Sequence, residues 1–425
     1  MQFTYVPLLP RLVALYRNRG MAKQMRYRAS CEYEPDRVSD IFDGHIYRDL
    51  CRTKIEVDGQ RLPCNYFSDP RDIALGLSTD GFAPFRRRKT TTWPIIVYNF
   101  NLPPDIRFHR QYILCLGVVP GPKKPKDFDS FLWPAVEEFM RLALGTRAYN
   151  ALERELFLLR AHLILIGGDI PAMAMVMRMK GHNGLSPCRM CKIKGLRVPN
   201  SRATTHYVPL DRRRHPDVIY GPAEATVAKY NSADLPLRQH DEILEMGRQV
   251  QQASTNAEAE RLAKEYGVKG APVLRFIQSV QFPWSFPYDF MHLIFENLVP
   301  NLIQLWTNDF KDIGSADDPF VIEPAAWAGI GAATASCAST IPYSFCSRPQ
   351  NIATDKSQCT ADAWSFWLQY IAPVVLENKF TEAKYYRHFV NLVKLIRKCL
   401  QFEMQKSDIE MVRRGFEEWV EKYEQ

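Results

Sequence analysis

Three short apolar runs change the texture of the chain between residues 71 and 121: "RDIALGLSTDG" (71–81), "TWPIIVYNFNL" (92–102) and "YILCLGVVPG" (112–121). Each is partly β-branched and bounded by Gly, Pro or Asn, which predicts three successive strands whose short connections make them antiparallel neighbours. Apolar residues at three- and four-residue spacing then run through "FLWPAVEEFMRLALGTRAYNALERELFLLRAH" and predict helix across 131–162. "LILIGGD" (163–169) is almost continuously apolar, as expected of a strand buried on both faces. The order is strand, strand, strand, helix, strand, with Asp80 closing the first strand and Asp169 closing the fourth. Residues 1–65 mix short helical patterns with polar turns and read as a helical or irregular N-terminal extension. The core begins in 66–180, an insertion occupies 181–270, the core resumes in 271–325, and 326–425 is a mainly helical C-terminal region. The fold class is α/β, a mixed sheet with helices.

Composition narrows this to a folded chain. Of 425 residues, 46% are apolar, enough for a sizeable core. Arg11 interrupts the N-terminal apolar segment and no small-residue cleavage site follows it, so no signal peptide is read there. No uninterrupted apolar stretch approaches the ~18 residues of a membrane span. Ten cysteines at irregular spacings fit free thiols plus one metal or redox site in a reducing compartment better than a disulfide framework. An intracellular protein is expected.

The net charge of +8 gathers in "FRRRK" (85–89), "GPKKPK" (121–126), "RMCKIKGLR" (189–197) and "DRRRH" (211–215). A charge run is most often a solvated face. Several on one chain, near the strand-end acids and a cysteine pair, point instead to a polyanion such as nucleic acid. The candidate phosphate-binding residues are Arg86, Arg87, Arg88, Lys89, Lys123, Lys124, Lys126, Arg212, Arg213 and Arg214.

Two acids at strand ends can meet at one sheet edge. With a third acid from a helix they would form an oxygen cage for hard divalent cations, and a pair of such ions ~3.5–4 Å apart supports phosphodiester displacement. The third acid is sought in "PYDFMHLIFENL", where a helix beginning near Asp289 sets 289, 292 and 296 on one face. Glu296 is the first choice. The plainer reading makes Asp289 an N-cap, His292 a satisfied polar residue and Glu296 a solvated acid.

His182, Cys188, Cys191 and His206 give H-x5-C-x2-C-x14-H. Two thiolates two residues apart can wrap a tetrahedral Zn²⁺ and two imidazoles can close its shell, a structural site with no open position for water. The plainer alternative is two reduced thiols and unrelated histidines.

Taken in order, "STDGFAPF", "WPIIVYNFNLPPDIRF", "GVVPGPKKPKDFDSFLWP", "GGDIPAMAMVMRMKGHNGLSPCRMCKIKG", "HYVPL" and "DFMHLIFENLVPNLIQLW" resemble the Tnp2 family of transposases, the CACTA or En/Spm class in its fungal form. The resemblance spans roughly 65 to 310. It implies an RNase H-like core in which Asp80, Asp169 and Glu296 hold two Mg²⁺ or Mn²⁺ ions, and a zinc-binding insertion holding one structural Zn²⁺. It implies a DDE-type transposase that cuts double-stranded DNA at transposon ends and joins them to target DNA. A nuclear location follows from that activity, and a homo-oligomer is allowed. Plant relatives carry an "MHIEKN" version of the third motif, which keeps Asp289 as a substitute for Glu296. The family's further helical sequence and an N-terminal DNA-reading domain are not recognisable, so a truncated copy is expected. The alternative function is a catalytically inactive or domesticated zinc-containing DNA-binding protein.

Overall fold

The structure is a computed structural model, described for residues 3–84, 91–121, 124–181, 184–199, 206–221, 227–310, 315–346 and 348–425. It divides into two compact units, one of residues 1–228 with 235–288 and the other of 229–234 with 289–425. The stretch 271–325, expected to complete the core, is therefore shared between them.

The first unit opens with helix α1 (Leu9–Arg17) and a hairpin of β1 (Lys54–Val57) and β2 (Gln60–Asn65). The predicted strands follow as β3 (Ile73–Thr79), β4 (Thr92–Asn99) and β5 (Leu114–Pro120), then helix α2 (Asp129–Leu144). A second hairpin, β6 (Thr146–Asn150) and β7 (Glu155–Leu159), leads into β8 (Ala161–Gly167). The central sheet has the order β5-β4-β3-β8. Its first two pairings are antiparallel, and β3 with β8 is parallel. A meander thus hands over, through α2 and the hairpin, to a strand laid beside the meander's first member. Among the described residues no helix is long and apolar enough to cross a membrane.

β3 and β8 are almost wholly buried because each is covered on both faces, which is why their sequences are apolar runs without alternation. Leu75, Leu77, Leu163 and Ile166 pack with Val136 and Phe139 of α2 and with Leu12 and Tyr16 of α1. Ala74 and Ile164 join a second cluster with Ile55, Val57, Phe67 and Phe100. Each such buried side chain contributes about 2 kcal/mol to holding the layers together. Residues 1–65 are therefore helical in part and end in a hairpin, and both pieces line the core.

The helix expected across 131–162 stops at Leu144. Gly145, at φ 101°, ends it in a conformation that side chains with a Cβ resist, and Arg154 at φ 60° shapes the turn of the hairpin that follows. In β6 and β7 the buried positions are Ala148, Asn150, Phe157 and Leu159. That period of two was masked by charged residues that also suit a helix surface.

After β8 come α3 (Ile170–Val176), then α4 (His240–Gln252) and α5 (Asn256–Tyr266). The second unit is mainly helical. A π-helical stretch (Met291–Leu298) runs into α6 (Val299–Trp306), followed by α7 (Pro324–Ser336), α8 (Ala361–Phe366), α9 (Ala383–Cys399) and α10 (Lys406–Tyr423). Trp306, Trp327, Trp364, Trp367 and Phe389 are buried in its core.

Candidate functional site

The parallel register between β3 and β8 pairs Ser78 with Gly167. Asp80 follows β3 directly and Asp169 lies two residues past β8, so continuing that register sets the two acids opposite each other at the C-terminal edge of the sheet. Gly168 makes the close approach there: a Cβ on it would sit 2.5 Å from the Thr79 carbonyl oxygen. Both carboxylates are half-buried. Asp80 Oδ1 accepts from the Gly81 N–H at 2.6 Å, which fixes its rotamer, and Asp169 Oδ1 accepts from the Ala172 N–H at 2.5 Å. Asp169 is thus also the N-cap of α3, a second task that the strand pattern alone did not reveal. Trp93 lies across Gly81, where a Cβ would come within 2.6 Å of the indole. The Lys124 ammonium is 5.9 Å from the centre of the Trp93 ring and donates to the Pro171 carbonyl at 3.1 Å. Burial lowers the Lys124 pKa, and the Asp169 carboxylate partly restores it.

Both carboxylates are hard oxygen donors at one sheet edge, the kind of ligand that divalent ions such as Mg²⁺ take. The third acid belongs to the other unit. There Asp289 Oδ1 accepts from the His292 N–H at 3.2 Å, and the Leu293 N–H donates to the Asp289 carbonyl at 2.9 Å, which is N-cap geometry. His292 Nδ1 is 3.1 Å from Asp289 Oδ2, and its Nε2 is 3.7 Å from Glu296 Oε2. The three residues share one face as their spacing predicted, on a π-helical turn rather than an α-helical one. Glu296 is the more exposed of the two acids.

Cys188 and Cys191 meet in a tight turn. Cys188 Sγ accepts from the Met190 N–H at 3.3 Å and the Cys191 N–H at 3.4 Å, and lies 3.4 Å from the Tyr288 hydroxyl. The hydrogen bond from the Cys191 thiol pulls the Cys188 pKa down against its burial, with Tyr288 and the two N–H groups adding to the effect. The same bond pushes Cys191 up. Arg238, 1% exposed, anchors the turn by donating to the carbonyls of Cys188 (3.0 Å), Cys191 (3.2 Å), Ser186 (3.0 Å) and Tyr266 (2.9 Å). Neither Arg238 nor Tyr288 was singled out from the sequence, because their partners are distant in the chain and mostly backbone. Among the described residues no three His, Cys, Asp or Glu side chains form a group able to hold a metal ion, so buried His206 does not join the two thiols in such a group. His182 lies outside the described residues.

The basic residues divide. Arg86, Arg87, Arg88, Lys89 and Lys123 lie outside the described residues. Arg212 is 2% exposed and donates to the carbonyls of Pro209 (3.2 Å) and Lys194 (2.6 Å), so its expected place on a phosphate-binding surface is corrected to a buried anchor. Arg213 is exposed and held by Asp211 at 2.9 and 2.5 Å, while Arg214, Lys124 and Lys126 are exposed.

Residues 56–216 match the model of transposase family tnp2. The resemblance read from the motifs holds over that stretch, which is well under half of the chain. It takes in Asp80, Asp169, Cys188, Cys191 and His206, and stops before Asp289 and Glu296. What the match brings is coarse: similarity over this segment to transposases, enzymes that act on DNA. No curated protein matches the chain.

Proposed function

We propose that the protein is a DDE-type transposase that cuts and joins DNA with Asp80, Asp169 and Glu296 as its metal-binding carboxylates. The observation that carries this reading is the position of Asp80 and Asp169 just past the C-terminal ends of two neighbouring parallel strands, in a four-stranded sheet whose other pairings are antiparallel; this supports an RNase H-like core. Two bound Mg²⁺ or Mn²⁺ ions would activate the attacking oxygen and stabilise the leaving one. The chain's own contribution is positional. Backbone N–H groups fix one oxygen of each aspartate, and the Gly168 approach holds the two strand ends together. Glu296 is preferred to Asp289 as third ligand by its place in the third motif, and it is the more exposed of the two.

The Cys188–Cys191 turn supplies half of a tetrahedral zinc shell in this reading. Backbone N–H groups directed at a cysteine sulfur and an arginine tied to the turn's carbonyls both favour a thiolate ligand. Changing both cysteines to Ser should lower bound zinc from about one ion per chain to none; unchanged zinc content removes the site.

The experiment for the catalytic reading is cleavage of duplex DNA carrying element ends, with Mg²⁺ or Mn²⁺, by the wild type and by Asp169→Asn. Loss of cleavage in the variant supports the reading. A wild type that binds DNA and zinc but never cleaves favours the non-catalytic, domesticated alternative.

A further inference from the structure

Beyond Lys124, a set of cations that the charge runs did not reveal lies past the C-terminal end of α3, the helix that Asp169 caps at its N-terminus. The chain leaving α3 forms an antiparallel bridge, Met179 with Val268, in which the Lys269 N–H donates to the Arg178 carbonyl at 2.6 Å and the Lys180 N–H donates to the Gly267 carbonyl at 2.8 Å. This brings Arg178, Lys180 and Lys269 together at the end of the helix that Asp169 caps. Two of them already have anionic partners: Arg178 pairs with Asp129 at 3.1 Å, and Lys180 pairs with Glu260. Lys269 is exposed, and no ion pair to it is found among the described residues. Burial lowers its pKa, Lys124, Lys180 and Arg178 lower it further, and Glu260 partly restores it, so its charged surroundings are mainly cationic. Lys124 for its part is fixed between Trp93 and the Pro171 carbonyl, on the side of Asp169.

Exposed positive charge along the helix that one of two strand-end acids caps has a ready use when the substrate is a polyanion. We infer that Lys124 and Lys269 form a phosphate-binding pair that holds the backbone of double-stranded DNA next to the bond cut at Asp80 and Asp169. The inference rests on the catalytic reading for its purpose but not for its test. Each lysine would neutralise one phosphate flanking the scissile one, so that the DNA strand is drawn along α3 and across the strand ends. Lys180 contributes less, since Glu260 must first be displaced.

The test is binding of the whole chain to duplex DNA as salt is raised. For the double variant Lys124→Gln/Lys269→Gln, the slope of log affinity against log salt should shrink by about 2, one counterion for each phosphate no longer neutralised. Lys124→Arg/Lys269→Arg should restore it, and Lys23→Gln/Lys394→Gln, on exposed helix faces elsewhere, should leave it unchanged. An unaltered slope in the first variant, or an equal loss in the control, overturns the pair. Both lysines have exposed side chains, so circular dichroism should show the wild-type fold. Asp169→Asn run alongside separates the two ideas: if it cleaves as fast as the wild type, the catalytic reading fails while the slopes still decide the phosphate pair.

Discussion

β3 and β8 carry ionisable residues at both ends, and their sequences look alike there: an acid or a histidine beside an apolar run. At the C-terminal ends, Asp80 and Asp169 are half-buried and level with each other, with Lys124 close by. At the N-terminal ends, Asp72 precedes the first β3 residue and His162 is paired with Ala74, and both are sealed. His162 is 1% exposed between the rings of Tyr66 and Phe67, and neither ring nitrogen has a hydrogen-bond partner among the described residues. Burial pushes its pKa down to about 3 and pushes that of Asp72 up to about 6. One end leaves its acids partly open to solvent. The other buries its ionisable groups, which suits the packing of the core. Access to solvent separates the two ends, more than the kind of residue does.

The largest expected effect lies at the open end. Asp169→Asn keeps the size of the side chain and an oxygen for the Ala172 N–H, but removes the negative charge. Cleavage should fall by on the order of a thousandfold, the scale seen when one charge-stabilising group is lost, while thermal unfolding shifts little. A large stability loss with unchanged cleavage per folded molecule would make this end as structural as the other.

At the closed end the matching substitution should act on stability instead. The folded-state pKa of Asp72 is raised, to about 6, above the ordinary carboxyl value near 3.9. The folded chain therefore takes up this proton before the unfolded one, and burying the carboxylate costs stability above pH 6. Asp72→Asn should stabilise the protein at pH 7 by up to roughly 3 kcal/mol, with the gain shrinking as pH falls from 6 toward 4. His162 works the other way, since its folded-state pKa is depressed and the unfolded chain takes up its proton first. In the Asp72→Asn variant its loss of roughly 1.4 kcal/mol per pH unit below about 6.5 should stand uncompensated. Unfolding midpoints of both proteins between pH 4.5 and 7.5 measure this; a constant difference across that range contradicts it.

The sequence made the sheet legible wherever burial was two-sided. β3 and β8 announce themselves as apolar runs, and their terminal acids followed directly. The hairpin of β6 and β7 was hidden because its exposed positions carry Arg and Glu at spacings that also suit a helix. Arg238, Lys180 and Lys269 were illegible for a different reason. Their roles come from which distant turns fold against them, and no local spacing records that. Arg212 shows the same limit in reverse, since a basic run gives no sign of which of its members turns inward.

The smallest effect on stability concerns the two acids of the other unit, where position comes from a helix turn rather than a sheet register. Asp289 and Glu296 share a face with His292, yet only Asp289 satisfies backbone N–H groups at a helix start. Asp289→Ala should therefore cost about 1 kcal/mol of stability, the usual worth of an N-cap, and leave cleavage per folded molecule near the wild-type rate. Glu296→Gln should do the opposite, with no measurable shift in the unfolding midpoint and the cleavage loss of a missing metal ligand. If the two variants exchange behaviour, Asp289 is the third carboxylate and the cap is incidental. Because a helix can supply either residue from the same face, spacing alone could not choose between them, and the pairing of a stability measurement with a rate measurement can.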